Sequence, residues 1–169
     1  MLGLTTLGAV HTAVGLIALV AGIGTVVRYG GLTTDRPLTS LYTWTTALTA
    51  LTGFGIFQHG GFNIAHVLGI LTLVVLAIAV AAGAKGLFGR LSPYVETIGF
   101  STTLFFHFIP GITETFSRFP QGAPLFTGPE DPQLAKVLGV VFVIYLVGVV
   151  VQVLRLKATP PAMRHPRLV

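Results

Sequence analysis

The sequence predicts an all-helical, polytopic transmembrane bundle of about five spans, with its N-terminus outside and its C-terminus cytoplasmic. Three observations carry this prediction. Of 169 residues only 9% are charged while 53% are hydrophobic, and the mean hydropathy is +0.86; a soluble domain carries roughly a quarter charged residues. Apolar stretches long enough to cross a hydrocarbon core of ~30 Å recur along the whole chain. Lys and Arg gather on one side of those stretches, as they do beside cytoplasmic loops.

The first span runs from Leu4 to Val27. It has no basic stretch before it and no small-residue cleavage site after it, so it reads as a retained helix, not a signal peptide. Gly30 and Gly31 end it, and the second span, Leu38 to Phe57, is rich in threonine. Thr39, Thr43, Thr46 and Thr49 are expected to bond backbone carbonyls or line the bundle, and Tyr42 and Trp44 to anchor near the inner interface. The Gly60-Gly61 pair marks a turn before the third span, Asn63 to Ala84. Gly86 and Gly89 mark the next turn. The fourth span, Pro93 to Phe116, contains Pro110, which removes a backbone donor and is expected to kink the helix beside His107. A Pro- and Gly-rich loop, Ser117 to Pro132, then leads to the fifth span, Gln133 to Leu156, and reads as a lid or partner surface. The bundle is thus assigned to residues 1–157 and a basic cytoplasmic tail to 158–169.

Orientation follows from counting cations. Arg28, Arg36, Lys85, Arg90, Arg155, Lys157, Arg164 and Arg167 fall on one side, and only Arg118 and Lys136 on the other. The first side is expected to be cytoplasmic, in a bacterial-type inner (plasma) membrane. The net charge of +5 is explained by this topology and not by nucleic acid. With no cysteine, disulfides, thiolate metal ligands and cysteine nucleophiles are excluded. No nucleophile elbow, phosphate loop or dinucleotide fingerprint is present. Small-residue spacings at Gly53 and Gly69 read as helix packing.

Histidine placement is the informative feature. At ~1.5 Å per residue, His11 lies ~10 Å below the outer end of the first helix, His66 ~5 Å into the third and His107 ~14 Å from the outer end of the fourth. His59 sits in the outer turn. All four therefore occupy the outer half of the membrane, where ionisable groups are costly and face the bundle interior. On the fourth helix His107, Gly111, Glu114 and Arg118 share one face at spacings of four, three and four. Glu114 and Arg118 read equally as an interfacial ion pair or as part of a site.

Three readings stay open at this point. A b-type haem needs one or two imidazoles, an apolar slot and polar groups for propionates: His11 with His66 or His107 as axial ligands, Phe105, Phe106 and Phe108 as walls, Arg118 and His59 at the propionates. Such a protein passes electrons in the membrane, with quinone or a membrane redox complex as partner. A non-haem zinc, iron or copper ion would take His11, His66, His107 and Glu114. The third reading is structural: imidazoles bonded to neighbouring helices in a subunit or assembly factor of a larger membrane complex.

The segments beginning at His11 and at His66 both place a glycine three or four residues later and end in a basic, Gly-containing turn, which hints at duplicated hairpins with the two histidines facing each other. HTAVGLIALVAG in the first helix, Tyr42 in the second and GGFNIAHVLGILTL entering the third also resemble domain-of-unknown-function family 2306, predicted multi-pass membrane proteins. The resemblance covers about Leu7 to Gly83, with His11, Gly15, Gly22, Tyr42, Phe62 and His66 as its marks. Asp35-Arg36 stands where the family carries a His-Arg pair. The resemblance implies the multi-pass topology and the interest of His11 and His66, and names no reaction.

Overall fold

The computed structural model describes residues 5–57 and 61–159. Five α-helices follow in order: α1 (Thr6–Tyr29), α2 (Pro37–Gly53), α3 (Ile64–Lys85), α4 (Ser92–Phe116) and α5 (Pro132–Ala158), with a short 3-10 turn, Gly89–Leu91, before α4. No strand occurs among the described residues. Local chemistry sets most of the ends. Thr5 accepts a hydrogen bond from the Gly8 N–H at 3.1 Å and starts α1, and Gly30 stops it with a left-handed φ of 80°. Asn63 caps α3, and Gly86, at φ 61°, ends it. Proline stands in the first turn of α2, α4 and α5, where its missing N–H costs nothing.

The spans expected from sequence agree with the helices to within a residue or two except in the second, which stops at Gly53, four residues before Phe57. There the N–H groups of Phe54, Gly55 and Ile56 turn back in three-residue steps onto Leu51, Thr52 and Gly53. α4 continues through Pro110.

Three helices, α1, α3 and α5, are long and apolar enough to cross a membrane, and they support an integral membrane protein. α2 and α4 fall outside that group for a visible reason. α2 has only 17 residues, six of them threonine, and α4 carries Glu96, His107, Pro110 and Glu114. Large apolar side chains point outward throughout: Val20, Val27, Ile64, Val140 and Ile144 are each more than half exposed. An exterior of this kind suits lipid and not water.

Packing is between antiparallel neighbours. On α1, Gly22 meets Tyr42 and Gly15 meets Thr49, which runs α1 against α2; Gly99 of α4 meets Ala79, which runs α3 against α4. These glycines let the backbones approach closely. Two hairpins result, and α2 and α4 lie parallel across the interior: Tyr42 bonds Thr103 and Thr46 bonds His107 with the same offset of 61 residues. The core consists of Ala18, Ala21, Leu32, Tyr42, Leu76, Ala79 and Phe100. α5 lies outside this group, against α4, through Ser101 to Gln152, Thr102 to Tyr145, and Phe105 stacked on Tyr145. Tyr42, expected at the interface, is instead fully buried, whereas Trp44 remains 74% exposed.

Candidate functional site

Interior chemistry begins with α2 and α4, because these two helices turn their polar residues toward each other. Thr43 and Thr49 return their hydroxyls to the carbonyls of Thr39 and Thr45 at 2.7 Å, as expected of hydroxyls in apolar helices. Thr46 differs: its Oγ1 lies 3.0 Å from Nε2 of His107. Tyr42 Oη lies 2.7 Å from Thr103 Oγ1, and the Tyr42 ring meets the His107 ring edge-on at 5.9 Å between centroids. Thr103 in turn donates to the Phe100 carbonyl at 2.9 Å. Two hydrogen-bonded pairs, Thr46 with His107 and Tyr42 with Thr103, thus stand side by side and touch through the Tyr42 and His107 rings.

His11 is held by its own threonine. Its Nδ1 lies 3.1 Å from Thr52 Oγ1, and its ring fills the space left by Gly53, whose Cβ would stand 3.3 Å from the imidazole. His11 lies within electrostatic range of both Glu114 and His107, which places the three in one neighbourhood. Glu114 and Arg118 form the ion pair that the spacing predicted, 2.6 Å between Oε2 and Nη2. That pair is partly exposed, and exposed pairs of this type contribute only a few tenths of a kcal/mol.

His66 sits apart, bound to a different set of neighbours. It occupies the third position of α3, 4% exposed, with Nδ1 3.2 Å from both the Asn63 N–H nitrogen and Asn63 Oδ1. Phe57, Phe62 and Phe54 lie nearly parallel to its ring, with centroids 5.1, 5.3 and 6.4 Å away. Nε2 is buried and has no hydrogen-bond partner among the described residues. The two Nδ1 contacts are alternative tautomers. Accepting from the Asn63 N–H leaves a proton on Nε2; donating to Oδ1 leaves Nε2 a bare lone pair.

The expected convergence of histidines is thus divided. His11 and His107 lie in one neighbourhood with Glu114, while His66 is held by Asn63 and phenylalanines. Among the described residues no three His, Asp or Glu side chains are grouped to hold a metal ion, so the ion site of His11, His66, His107 and Glu114 is not assembled. Phe105 packs on Phe142 and Tyr145 of α5, which commits it to helix packing, while Phe106 lies 6.1 Å, centroid to centroid, from its chain neighbour Phe105. His59 and the basic tail beyond Thr159 lie outside the described residues.

One buried group is absent from the expectations above. Glu96 is 1% exposed, and its Oε1 accepts the Thr34 N–H at 2.6 Å, while Gly83 gives the carboxylate room on α3. The signal was available: continuing the His107 spacing backward through Thr103 and Phe100 reaches Glu96 on the same face of α4.

The comparisons with known proteins give no match. No family model, no curated protein and no solved structure matches the chain. The site therefore rests on its own geometry.

Proposed function

We propose that the chain is a membrane redox protein of five spans, N-terminus outside and C-terminus cytoplasmic, that binds b-type haem in the outer half of the bilayer and passes electrons to quinone or a membrane redox complex. The observation that supports it is the Nε2 of His66, buried, without a hydrogen-bond partner among the described residues and with its ring stacked by phenylalanines. An imidazole whose Nδ1 is fixed by a second hydrogen bond is oriented as metal-ligating histidines usually are. With Nδ1–H donating to Asn63 Oδ1, His66 would hold the haem iron through Nε2. His11 and His107 each keep one ring nitrogen beyond the threonine bond and are the candidates for a second ligand. Haem supplies the electron-carrying iron; the apolar surroundings exclude water and favour the less charged state. The likeness of Leu7 to Gly83 to domain-of-unknown-function family 2306 belongs to the same proposal, with His11 and His66 as shared marks.

A second reading, a structural or assembly subunit, is favoured by one specific observation. His11 and His107 each have a threonine of a neighbouring helix as hydrogen-bond partner, which is what purely structural imidazoles require.

Visible spectra of the detergent-purified protein, oxidised and then dithionite-reduced, together with elemental analysis, separate the two. A Soret band with iron near one equivalent, abolished in His66→Ala, is the expected result. A colourless, metal-free wild type sinks the haem reading and leaves the subunit.

A further inference from the structure

The outer side of the α1–α2 hairpin carries a groove that helix packing does not fill. It measures about 470 Å³ and lies between Leu16, Ile17, Val20 and Gly24 of α1 and Leu38 and Leu41 of α2. Leu16 and Val20 are more than half exposed, so the groove opens outward. Glycine shapes its floor. Gly15 and Gly22 give their space to Thr49 and Tyr42 of α2, whereas nothing among the described residues stands within 4 Å of where a Gly24 Cβ would be. The room at Gly24 is therefore open to a molecule from outside the chain.

Helix periodicity carries the groove to a cluster of cations. Leu16, Val20, Gly24 and Arg28 follow at intervals of four on one face of α1, and Arg36 stands at the start of α2, two residues before Leu38. The Cζ atoms of Arg28 and Arg36 lie 5.4 and 4.6 Å from the centroid of one ring, that of Tyr29. Arg155 of α5 reaches the same turn, its Nη1 2.8 Å from the position of a Cβ on Gly30. Asp35 pairs with Arg36 at 3.3 Å, which leaves this end of the groove with a net positive charge. Three arginines gathered at one turn repel one another, and an anion among them relieves that repulsion. Length narrows the choice of occupant. From Leu16 to Arg28 α1 rises 12 residues, about 18 Å, slightly more than half of a ~30 Å hydrocarbon core. A second transmembrane helix runs the full thickness, whereas an acyl chain runs through one leaflet from a headgroup at its surface.

We propose that this groove is a site for an anionic phospholipid of the leaflet at the basic end of the bundle. One acyl chain lies along Leu16, Val20, Gly24 and Leu41, and the phosphate meets Arg28 and Arg36. A planar guanidinium presents paired N–H donors that match phosphate oxygens. Basic groups between helices at a membrane surface select anionic headgroups in this way. The site rests on α1 crossing the bilayer, a reading it shares with the haem proposal, and needs no haem.

Trp44 provides the readout: it is the single tryptophan of the chain, exposed, and one turn beyond Leu41 on the same face of α2. The full-length protein is placed in phosphatidylcholine vesicles with an increasing fraction of phosphatidylglycerol brominated at the middle of its chains. A parallel series uses phosphatidylcholine brominated in the same way. Bromine quenches tryptophan fluorescence by contact. In the wild type the anionic lipid should reach half-maximal quenching at a mole fraction at least about fivefold lower, the factor that one basic residue near an anionic headgroup supplies. Arg28→Gln should cut that preference about fivefold. Gly24→Leu, whose side chain fills the groove, should abolish it. Lys85→Gln removes a cation at the same end of the bundle but on α3, and should leave the preference intact. Equal quenching of the wild type by the two lipids overturns the site, as does full preference in Arg28→Gln or Gly24→Leu. An equal loss in Lys85→Gln also overturns it, by reducing the effect to the general attraction of a basic face. Quenching by both lipids that fades as protein density rises assigns the groove to a second copy of the chain and not to lipid. Quenching by neither lipid overturns the membrane reading itself.

Discussion

Gly22 illustrates how little space the interior leaves for a single atom. A Cβ there would stand 2.8 Å from Leu104 Cδ1 and 3.0 Å from the Tyr42 ring, in the middle of the core. Gly22→Ala is expected to destabilise the bundle by about 1–3 kcal/mol, the usual cost of overpacking. Gly24, two positions on, has nothing within 4 Å. Gly24→Ala should therefore match or exceed wild-type stability by up to about 1 kcal/mol, since it removes only the entropic penalty of glycine in a helix. Unfolding in mixed SDS and dodecylmaltoside micelles measures both, and equal effects of the two would contradict the packing described. The cost of ionisable residues in apolar segments made the interior histidines conspicuous in the sequence. Glu96 was not conspicuous, because it lies only four residues after Ser92, at the start of α4, where a carboxylate reads as an end residue until the fold closes Thr34 and Gly83 over it. His66 was visible as a residue but not as a cap: its bond to Asn63 depends on the end of α3, the least legible part of any helix.

At the scale of elements, one carboxylate ties the end of the loop before α5 to the first turn of that helix. Asp131 accepts the Thr127 N–H at 2.9 Å and the Gln133 N–H at 2.8 Å, capping α5, while Phe126 is buried edge-to-face on Phe116. The Thr127 N–H first, and then the Gln133 N–H, hold the Asp131 carboxyl below the usual carboxylate range. A lowered value in the folded state means that the contribution is complete above the unfolded value, about 3.9. It is lost as pH falls through the folded value. Hydrogen exchange of the Thr127 and Gln133 N–H groups should accordingly stay slow from neutral pH down to that range and speed up, relative to the intrinsic rate, below it. Asp131→Ala should exchange fast at every pH; unchanged protection in that variant would remove Asp131 from the account. Helix positions were legible because Gly and Pro stand at nearly every end. The early stop of α2 was not, because Phe54, Ile56 and Phe57 continue the apolar composition beyond the last helical turn.

For the whole molecule, composition sufficed to identify a helical protein that presents apolar side chains outward, and the hint of duplicated hairpins left open how α2 and α4 lie against each other. The parallel register of α2 and α4 arises from tertiary packing of Tyr42 on Phe100 and Thr103, contacts between residues about sixty positions apart. The absence of cysteine makes the topology directly testable. A single cysteine at Ala123 should react with a membrane-impermeant maleimide in intact cells, and one at Leu87 only after permeabilisation. Labelling of both from one side would refute the five-span arrangement. If α2 crosses the bilayer, its 17 residues rise only about 26 Å, a few ångströms less than the average hydrocarbon thickness. Lipid chains beside the Leu41 and Trp44 face must then compress, and neighbouring headgroups must draw inward, at a cost of a fraction of a kcal/mol per ångström of mismatch. Such a protein carries a thickness preference into every membrane it enters, and it concentrates where the bilayer is thin.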